Sequence, residues 1–273
     1  MKKTRTTHTV LLTGASHGIG PYIARALAEE GNRLVLTARS ETELAAVASE
    51  IKVRGAAVST VPADLTTAEG VDRVATFAQA HKVDVIVNNA GGDPIRPFDQ
   101  MSWDENRRIL DLNLVAPLAL TWRLLPGMLA RGSGHVVNIS AIAGRVGFPY
   151  TEVYASAKDG LIGFTRVLRA DYRKRGVSAS SVILGAIRDA GQGQRMADLA
   201  GMKLPKSFTA PAADVAKAVV RAIRDDVPEI VVMPGPGRLM KAVMDLFPGL
   251  GPAMNRMSGT ETTLKKVIAA RAA

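Results

Sequence analysis

The sequence predicts an α/β protein, with a parallel, doubly wound sheet of about seven strands, helices on both faces, and an irregular, partly helical C-terminal extension. Three observations lead there. Short β-like runs at 8–13, 33–38, 57–62, 83–88, 134–140, 177–184 and 229–232 alternate with helical stretches. Most of these runs are continuously apolar rather than alternating, as strands covered on both faces are. Strand–helix alternation builds a parallel sheet with right-handed crossovers, and 273 residues suit one such domain better than two smaller ones. The domain is expected over 1–233, with the extension over 234–273.

The first run stops at Thr13 and opens a helix through Gly14-Ala15-Ser16-His17-Gly18-Ile19-Gly20. Glycines there permit a tight turn and a close backbone approach to a pyrophosphate, and the helix N-terminus offers free N–H groups with a partial positive charge. Gly14, Ser16, His17, Gly18, Ile19 and Gly20 are therefore candidate contacts of a Rossmann-type dinucleotide site, in the spacing G-x-x-x-G-x-G. The structural alternative is a plain strand-to-helix turn.

The second run ends Thr37-Ala38-Arg39-Ser40, with no carboxylate to bond a ribose 2′-hydroxyl. Arg39 can instead pair bidentately with a 2′-phosphate, with Ser40 beside it and His17 adding to the same corner, so NADP(H) is the expected dinucleotide. A surface Arg beside a helix cap is the alternative. Ser40-Glu41-Thr42-Glu43 reads as a capping box, and Leu44, Val47, Ala48 and Ile51 mark the apolar face of the helix it opens.

A long helix begins near Glu152 and stops at Gly176. Tyr154 and Lys158, four apart, share one of its faces. A nearby ammonium favours phenolate and lowers the tyrosine pKa, so the pair can serve as acid towards a carbonyl oxygen or base towards an alcohol. Alone, the spacing also fits a packed Tyr over the aliphatic stem of a Lys.

Composition narrows the rest. There is no cysteine, which rules out disulfides and thiolate metal sites and fits a cytoplasmic protein, and no metal site is expected. The net charge is +10, but the cations are scattered without interleaved aromatics, so a nucleic-acid footprint is not expected. Met1-Lys2-Lys3-Thr4-Arg5 and Val10-Leu11-Leu12 read as a tail and a strand rather than a signal peptide. No stretch looks like the roughly 18 apolar residues of a membrane span.

Taken in order, Thr13-Gly-Ala-Ser-His-Gly-Ile-Gly20, Asn88-Asn89-Ala90-Gly91, Asn113 within Asp111-Leu112-Asn113-Leu114, and Tyr154-x-x-x-Lys158 resemble the single-domain short-chain dehydrogenase/reductase family over roughly 8–232. The resemblance implies hydride transfer between the nicotinamide and a carbonyl or alcohol, with Tyr154, Lys158 and Asn113 catalytic. It further implies that Lys158 holds the nicotinamide ribose and Asn113 a relay water. Asn89, Ala90 and Gly91 would pass beneath the cofactor, and Asp64 and Leu65 would touch the adenine.

The sequence departs from the family twice. The usual Ser thirteen residues before the Tyr is Ala141; Ser140 is one residue early, on the opposite side of the strand. Ser140, Tyr150 or Thr151 are candidate substitutes. After the sixth strand, Leu184-Gly185-Ala186-Ile187-Arg188-Asp189 puts Asp189 where the family has a Thr, leaving the Ile187 backbone to meet the carboxamide.

The competing reading is a non-catalytic NADP(H)-binding regulatory protein that lost turnover with Ala141. Met196, Leu199, Ala200, Met202 and Leu204 suggest an apolar small-molecule substrate, or simply packing. Leu239, Met240, Val243, Met244, Leu246, Phe247 and Leu250, beside Arg238 and Lys241, must bury against something. Packing on the substrate cleft or a second subunit of a homo-oligomer ranks first and an anionic lipid surface second.

Overall fold

The computed structural model describes residues 7–272, apart from 200, 202 and 258. In chain order the first half comprises β1 (Thr9–Thr13), α1 (Gly20–Glu29), β2 (Arg33–Thr37), α2 (Glu41–Val53), β3 (Val58–Thr60), α3 (Ala68–Ala80), β4 (Val85–Asn88), α4 (Trp103–Leu110) and α5 (Ala116–Arg131). Next come β5 (Gly134–Ala141), α6 (Ala143–Val146), α7 (Glu152–Tyr172), β6 (Val177–Leu184), β7 (Ile187–Arg188), α8 (Gly191–Leu199) and β8 (Ala210–Pro211). The chain ends with α9 (Ala212–Asp225), β9 (Glu229–Val232), α10 (Gly237–Leu246), α11 (Leu250–Met257) and α12 (Thr260–Ala272).

All seven apolar runs enter one parallel sheet, ordered β3-β2-β1-β4-β5-β6-β9. The third run is shorter than the sequence suggests, spanning Val58–Thr60, although Val61 N and Ala63 N still donate to Leu36 O and Ala38 O of the second strand and its exit. Helices cover both faces. Ile23 and Leu27 of α1, Leu44 and Ile51 of α2, and Val215 and Val219 of α9 build one core layer. Val74 of α3, Leu120 and Leu124 of α5, and Leu168 of α7 build the other. A second, two-stranded sheet of β7 and β8 was not legible in the sequence.

Strand order reverses at β1, whose neighbours are β2 and β4. At that switch point the connecting loops leave in opposite directions and open a crevice beyond the carboxyl ends of the strands.

One expectation needs correcting. Trp103–Arg131 forms one continuous helical stretch containing an 18-residue window of mean hydropathy 1.3, long and apolar enough to cross a membrane by length and composition. Its inner residues Ala116, Leu120, Leu124 and Met128, spaced four apart, are buried against the sheet. Its outer face is partly apolar as well, with Val115 and Trp122 exposed. The basic Met1–Arg5 stretch lies outside the described residues.

The candidate active site

Beyond the switch point lies a cleft of about 690 Å³, within the size range of small-molecule sites. Its first wall is the glycine turn. Gly14 has φ +65°, and a Cβ there would lie 2.8 Å from Ala90 Cα, so only glycine lets the two loops meet. Gly14, Ser16, His17, Gly18 and Ile19 line the cleft. Gly20 does not. It starts α1, and a Cβ on it would lie 2.1 Å from Gly14 O, so its role is closure of the turn. Ile19 precedes α1 without a side-chain cap; Gly20 N donates to His17 O and Pro21 has no N–H, so the helix start offers an anion chiefly its partial positive charge.

The loop after β4 is tied to this turn. Thr13 Oγ1 accepts from the N–H groups of Asn89 (3.0 Å) and Ala90 (2.9 Å). Asn89 Nδ2 donates back to Thr13 O at 3.0 Å and Gly14 O at 3.1 Å. Asn89, Ala90 and Gly91 thereby form the cleft floor, with Asp64 and Leu65 at its far end. Asp64 Oδ1 is engaged locally, accepting from the N–H and hydroxyl of Thr66.

Arg39 and Ser40 line the corner next to the glycine turn, and among the described residues Arg39 has no ion-pair partner. Sequence reasoning missed the acid there. Glu43 lines the same corner and its carboxylate lies 2.7 Å from His17 Nε2, while His17 Nδ1 meets Ser16 Oγ at 2.9 Å. This corrects the predicted capping box. Ser40 Oγ accepts from Glu43 N, but the Glu43 carboxylate turns to His17 instead of back to the Ser40 backbone. A complete capping box is formed by Ser102 with Glu105, at the start of α4.

The third wall carries the proton chemistry. Tyr154 and Lys158 both line the cleft from one face of α7, with Lys158 Nζ 5.5 Å from the Tyr154 ring centroid. Lys158 is buried, donates to Ile139 O at 3.0 Å, and burial pushes its ammonium down to about 8. The expectation that this ammonium lowers the tyrosine pKa is not met in this state. Burial first, and the charge of Asp93 second, push the phenol up, while Nζ is turned to the Ile139 carbonyl.

Asn113 sits fully buried in the π turn Asp111–Val115, behind the cleft floor rather than in its lining. Its Nδ2 donates to Gly92 O (2.8 Å) and Ile109 O (2.9 Å), and its Oδ1 accepts from Gly92 N (3.2 Å). Only the second lone pair of Oδ1 is left to receive a water. A Cβ on Gly91 would lie 2.6 Å from that oxygen and 3.2 Å from Lys158 Nζ, so Gly91 is what lets floor, Asn113 and Lys158 converge.

Ser140 is buried and its hydroxyl donates to Lys158 O at 2.7 Å. It pins β5 to α7, but contrary to the facing argument it is Ser140 that lines the cleft. Ala141, next along, pairs with Leu184 and is not part of the cleft lining. Thr151 Oγ1 is engaged with Phe148 O, and Tyr150 adopts φ +61°. Ile187 pairs with Ala210 and buries its side chain in the core, away from the cleft lining.

Asp189 sits at φ +71° and its N–H donates to Gln194 Oε1. Sequence reasoning also missed Gln192 and Arg195 of α8, which line the cleft. Gln192 Nε2 reaches Asp93 O at 3.2 Å across the opening. Of the predicted substrate segment, Leu199 is exposed, Met196 and Leu204 are half-buried, and Ala200 and Met202 lie outside the described residues. Among the described residues no cluster of metal-ligating side chains occurs.

Residues 8–199 match the family model described as short chain dehydrogenase. The ketoacyl reductase HetN of Nostoc sp. is 38% identical over 256 residues, covering 90% of this chain and 87% of that protein. A 3-oxoacyl-[acyl-carrier-protein] reductase of Synechocystis sp. is 36% identical over 185 residues, 67% of this chain and 75% of the relative. Among solved structures, a metagenomic short-chain oxidoreductase in complex with NADP matches 85% of this chain and 100% of its own at 31% identity and TM-score 0.72. A short-chain dehydrogenase from Sphingobium yanoikuyae in complex with NADPH matches 89% and 94% at 25% identity and TM-score 0.77.

Proposed function

The chain belongs to the short-chain dehydrogenase family, and from that premise we propose an NADP(H)-dependent oxidoreductase that interconverts a carbonyl and an alcohol on an apolar substrate, with Tyr154 as proton donor and acceptor. The substrate class that fits is a 3-oxoacyl thioester or a ketone of similar shape, in line with the named relatives. The observation that carries the reading is the meeting of Tyr154 and Lys158 with the glycine turn in one cleft at the strand-order reversal.

The residues present fit the cofactor. Gly14 and Gly18, both at positive φ, let the backbone of the turn come close to a pyrophosphate, and the start of α1 adds its partial positive charge. Arg39 supplies the cation for a 2′-phosphate. Bound there, the nicotinamide gives or takes the hydride. Tyr154 passes its proton to the substrate oxygen, an exchange worth about 10²–10⁴-fold in rate. In this state burial and Asp93 hold the phenol protonated, and positive charge brought to it on binding would be needed to make it a better acid. With the cofactor bound, Lys158 would hold the nicotinamide ribose and bring positive charge to the phenolate as it forms. Asn113 fixes the Gly92 backbone and holds the relay water on Oδ1.

A homo-oligomer is part of the reading, supported by Trp122 and Val167, exposed on α5 and α7. So is a cytoplasmic setting, supported by the cysteine-free composition. The test is oxidation of NADPH and of NADH with 3-oxoacyl thioesters of graded chain length and with simple ketones. Turnover with NADPH that grows with chain length is expected. Tight NADPH binding without turnover of any carbonyl would mean the non-catalytic reading instead.

A further inference from the structure

Helix α10 is built inside out. Its inner face carries Gly237, Lys241 and Met244, all buried. Lys241 has a side chain only 7% exposed, held 3.1 Å from Asp245 and 3.7 Å from Glu229. Arg145 of α6 ties the same Asp245 to Asp159 of α7, at 3.4 Å from each. The outer face carries the apolar residues, Leu239 63% exposed, Leu246 74% and Phe247 63%. The stripe continues through Leu250 and Met254 to Met257, which is 88% exposed. Within α10 the spacing of Leu239 and Leu246, and within α11 that of Leu250, Met254 and Met257, puts each set on one face, and the exposed Phe247-Pro248-Gly249 elbow joins the two helices. In water a helix gains by the opposite arrangement, with leucines inside and lysine outside.

This face is fixed in place. Asn255 Nδ2 donates to the carbonyls of Val146 (2.7 Å) and Gly147 (3.1 Å), which close α6. A Cβ on Gly251 would lie 2.5 Å from Val146 Cα, so the close approach of α11 to α6 requires glycine. The ion pairs on the inner face and these contacts prevent α10 from rolling its leucines inward.

Charge identifies what covers the face. Residues 234–273 carry six Lys or Arg against two acids. Both acids are already paired, Asp245 with Lys241 and Arg145, and Glu261 with Lys265. Arg238 and Arg256 flank the stripe and both are exposed. A second copy on a two-fold axis would set these cations against themselves, and an isologous interface must be self-complementary. An anionic lipid surface matches both the apolar stripe and its cationic rim. We infer that α10 and α11 form a peripheral membrane-docking surface, with the Phe247 elbow entering the headgroup–acyl boundary of an anionic bilayer.

The test is co-sedimentation of the full chain with phosphatidylcholine vesicles containing one-quarter phosphatidylglycerol. The wild type is expected to sediment with these and far less with pure phosphatidylcholine. The double variant Leu246→Asp with Phe247→Asp should weaken partition by roughly 100-fold, the scale of two apolar side chains withdrawn from lipid. Leu239→Asp alone should weaken it by roughly 10-fold. Val53→Asp, which changes an equally exposed apolar residue at the end of α2, should sediment as the wild type does. Thermal melting and NADPH binding show that each variant is folded, and neither readout depends on turnover. A wild type that stays in the supernatant, or folded variants that sediment unchanged, would overturn the inference. So would variants that lose a concentration-dependent dimer in sedimentation equilibrium without changing vesicle binding, because the face would then cover a second copy.

Discussion

The two halves of the cleft are held in different ways. The cofactor half consists of the turns that leave β1, β2, β3 and β4, and each of its residues sits within a few positions of a strand whose register is fixed by the ladder. The other side is carried by Gly191, Gln192 and Arg195 at α8, while the segment from Ile142 to Thr151 and the C-terminal helices lie outside the cleft lining, and these regions are held by contacts that span long separations. Asn255 caps α6 across 109 residues, and Gln192 reaches Asp93 across 99. The comparison teaches that a site built from strand exits takes its geometry from the sheet. A site built from loops and an added segment takes it from partners that local sequence does not reveal.

The residue at the seam gives the largest expected effect. Tyr154→Phe removes the proton donor but only one hydroxyl from the cleft wall. Turnover should fall by about 10²–10⁴-fold, with NADPH affinity nearly unchanged. Lys158→Ala should also weaken NADPH binding, because that side chain belongs to both halves. Stopped-flow turnover and NADPH fluorescence titration separate these outcomes. A Tyr154→Phe enzyme with substantial turnover would remove the seam from the comparison.

A region outside both halves sets the acid limit of stability. His135, at the amino end of β5, is buried with Nε2 2.8 Å from Ser180 Oγ, and burial pushes its pKa down to about 4. The unfolded chain therefore binds this proton first, and stability should fall as pH drops from about 6.5 to 4, by about 3 kcal/mol in all. Burial works against the nearby Asp226 carboxylate, but hydrogen bonds from Arg169, Ser178 and Arg173 outweigh it and hold the group well below the usual range. Its contribution is lost only below the ordinary carboxylate pKa, outside that window. Denaturant melts across pH 4–7 should flatten in His135→Gln. A slope that persists in the variant would move the acid sensitivity back to the cleft.

Within the cofactor half, Arg39→Asp should weaken NADPH binding by roughly 100-fold while sparing NADH, through loss of a charge-assisted bond and gain of repulsion. Glu43→Gln should act in the opposite direction and strengthen NADPH binding a few-fold, because a carboxylate then leaves the corner. Equal affinity of the wild type for both dinucleotides would count against the assignment of this corner.

The fold was legible because continuous apolar runs and the spacing of glycines and helix caps are local signals. So were the glycine turn and the pairing of Tyr154 with Lys158. Glu43 was misread because its sequence position satisfies a capping box, whereas its carboxylate goes to His17, 26 residues earlier. Arg195 and Gln192 carry no pattern that marks them as cleft residues. Lys241 reads as the polar edge of an apolar helix, and only Glu229 and Asp245 reveal that it points inward. The raised phenol of Tyr154 could not be read from spacing, because it depends on burial and on Asp93.

The smallest effect concerns the end of β5, where the two halves join. Ser140 and Ala141 are adjacent, so their side chains leave the strand on opposite sides. Ser140 Oγ is committed to Lys158 O, a buried hydrogen bond whose loss in Ser140→Ala should cost about 1 kcal/mol of stability and leave turnover little changed. Ala141→Ser should behave differently. It adds a donor at the position where the family places one, and a donor aimed at a developing alkoxide accelerates the reaction. With Ala141 outside the cleft lining, the gain on small ketones should stay below about tenfold. Paired measurements of kcat and melting temperature on the two variants would separate them. If Ser140→Ala instead lost two orders of magnitude in kcat with an unchanged melt, Ser140 would be the working hydroxyl, and the end of β5 would have to turn away from Lys158 O when substrate binds.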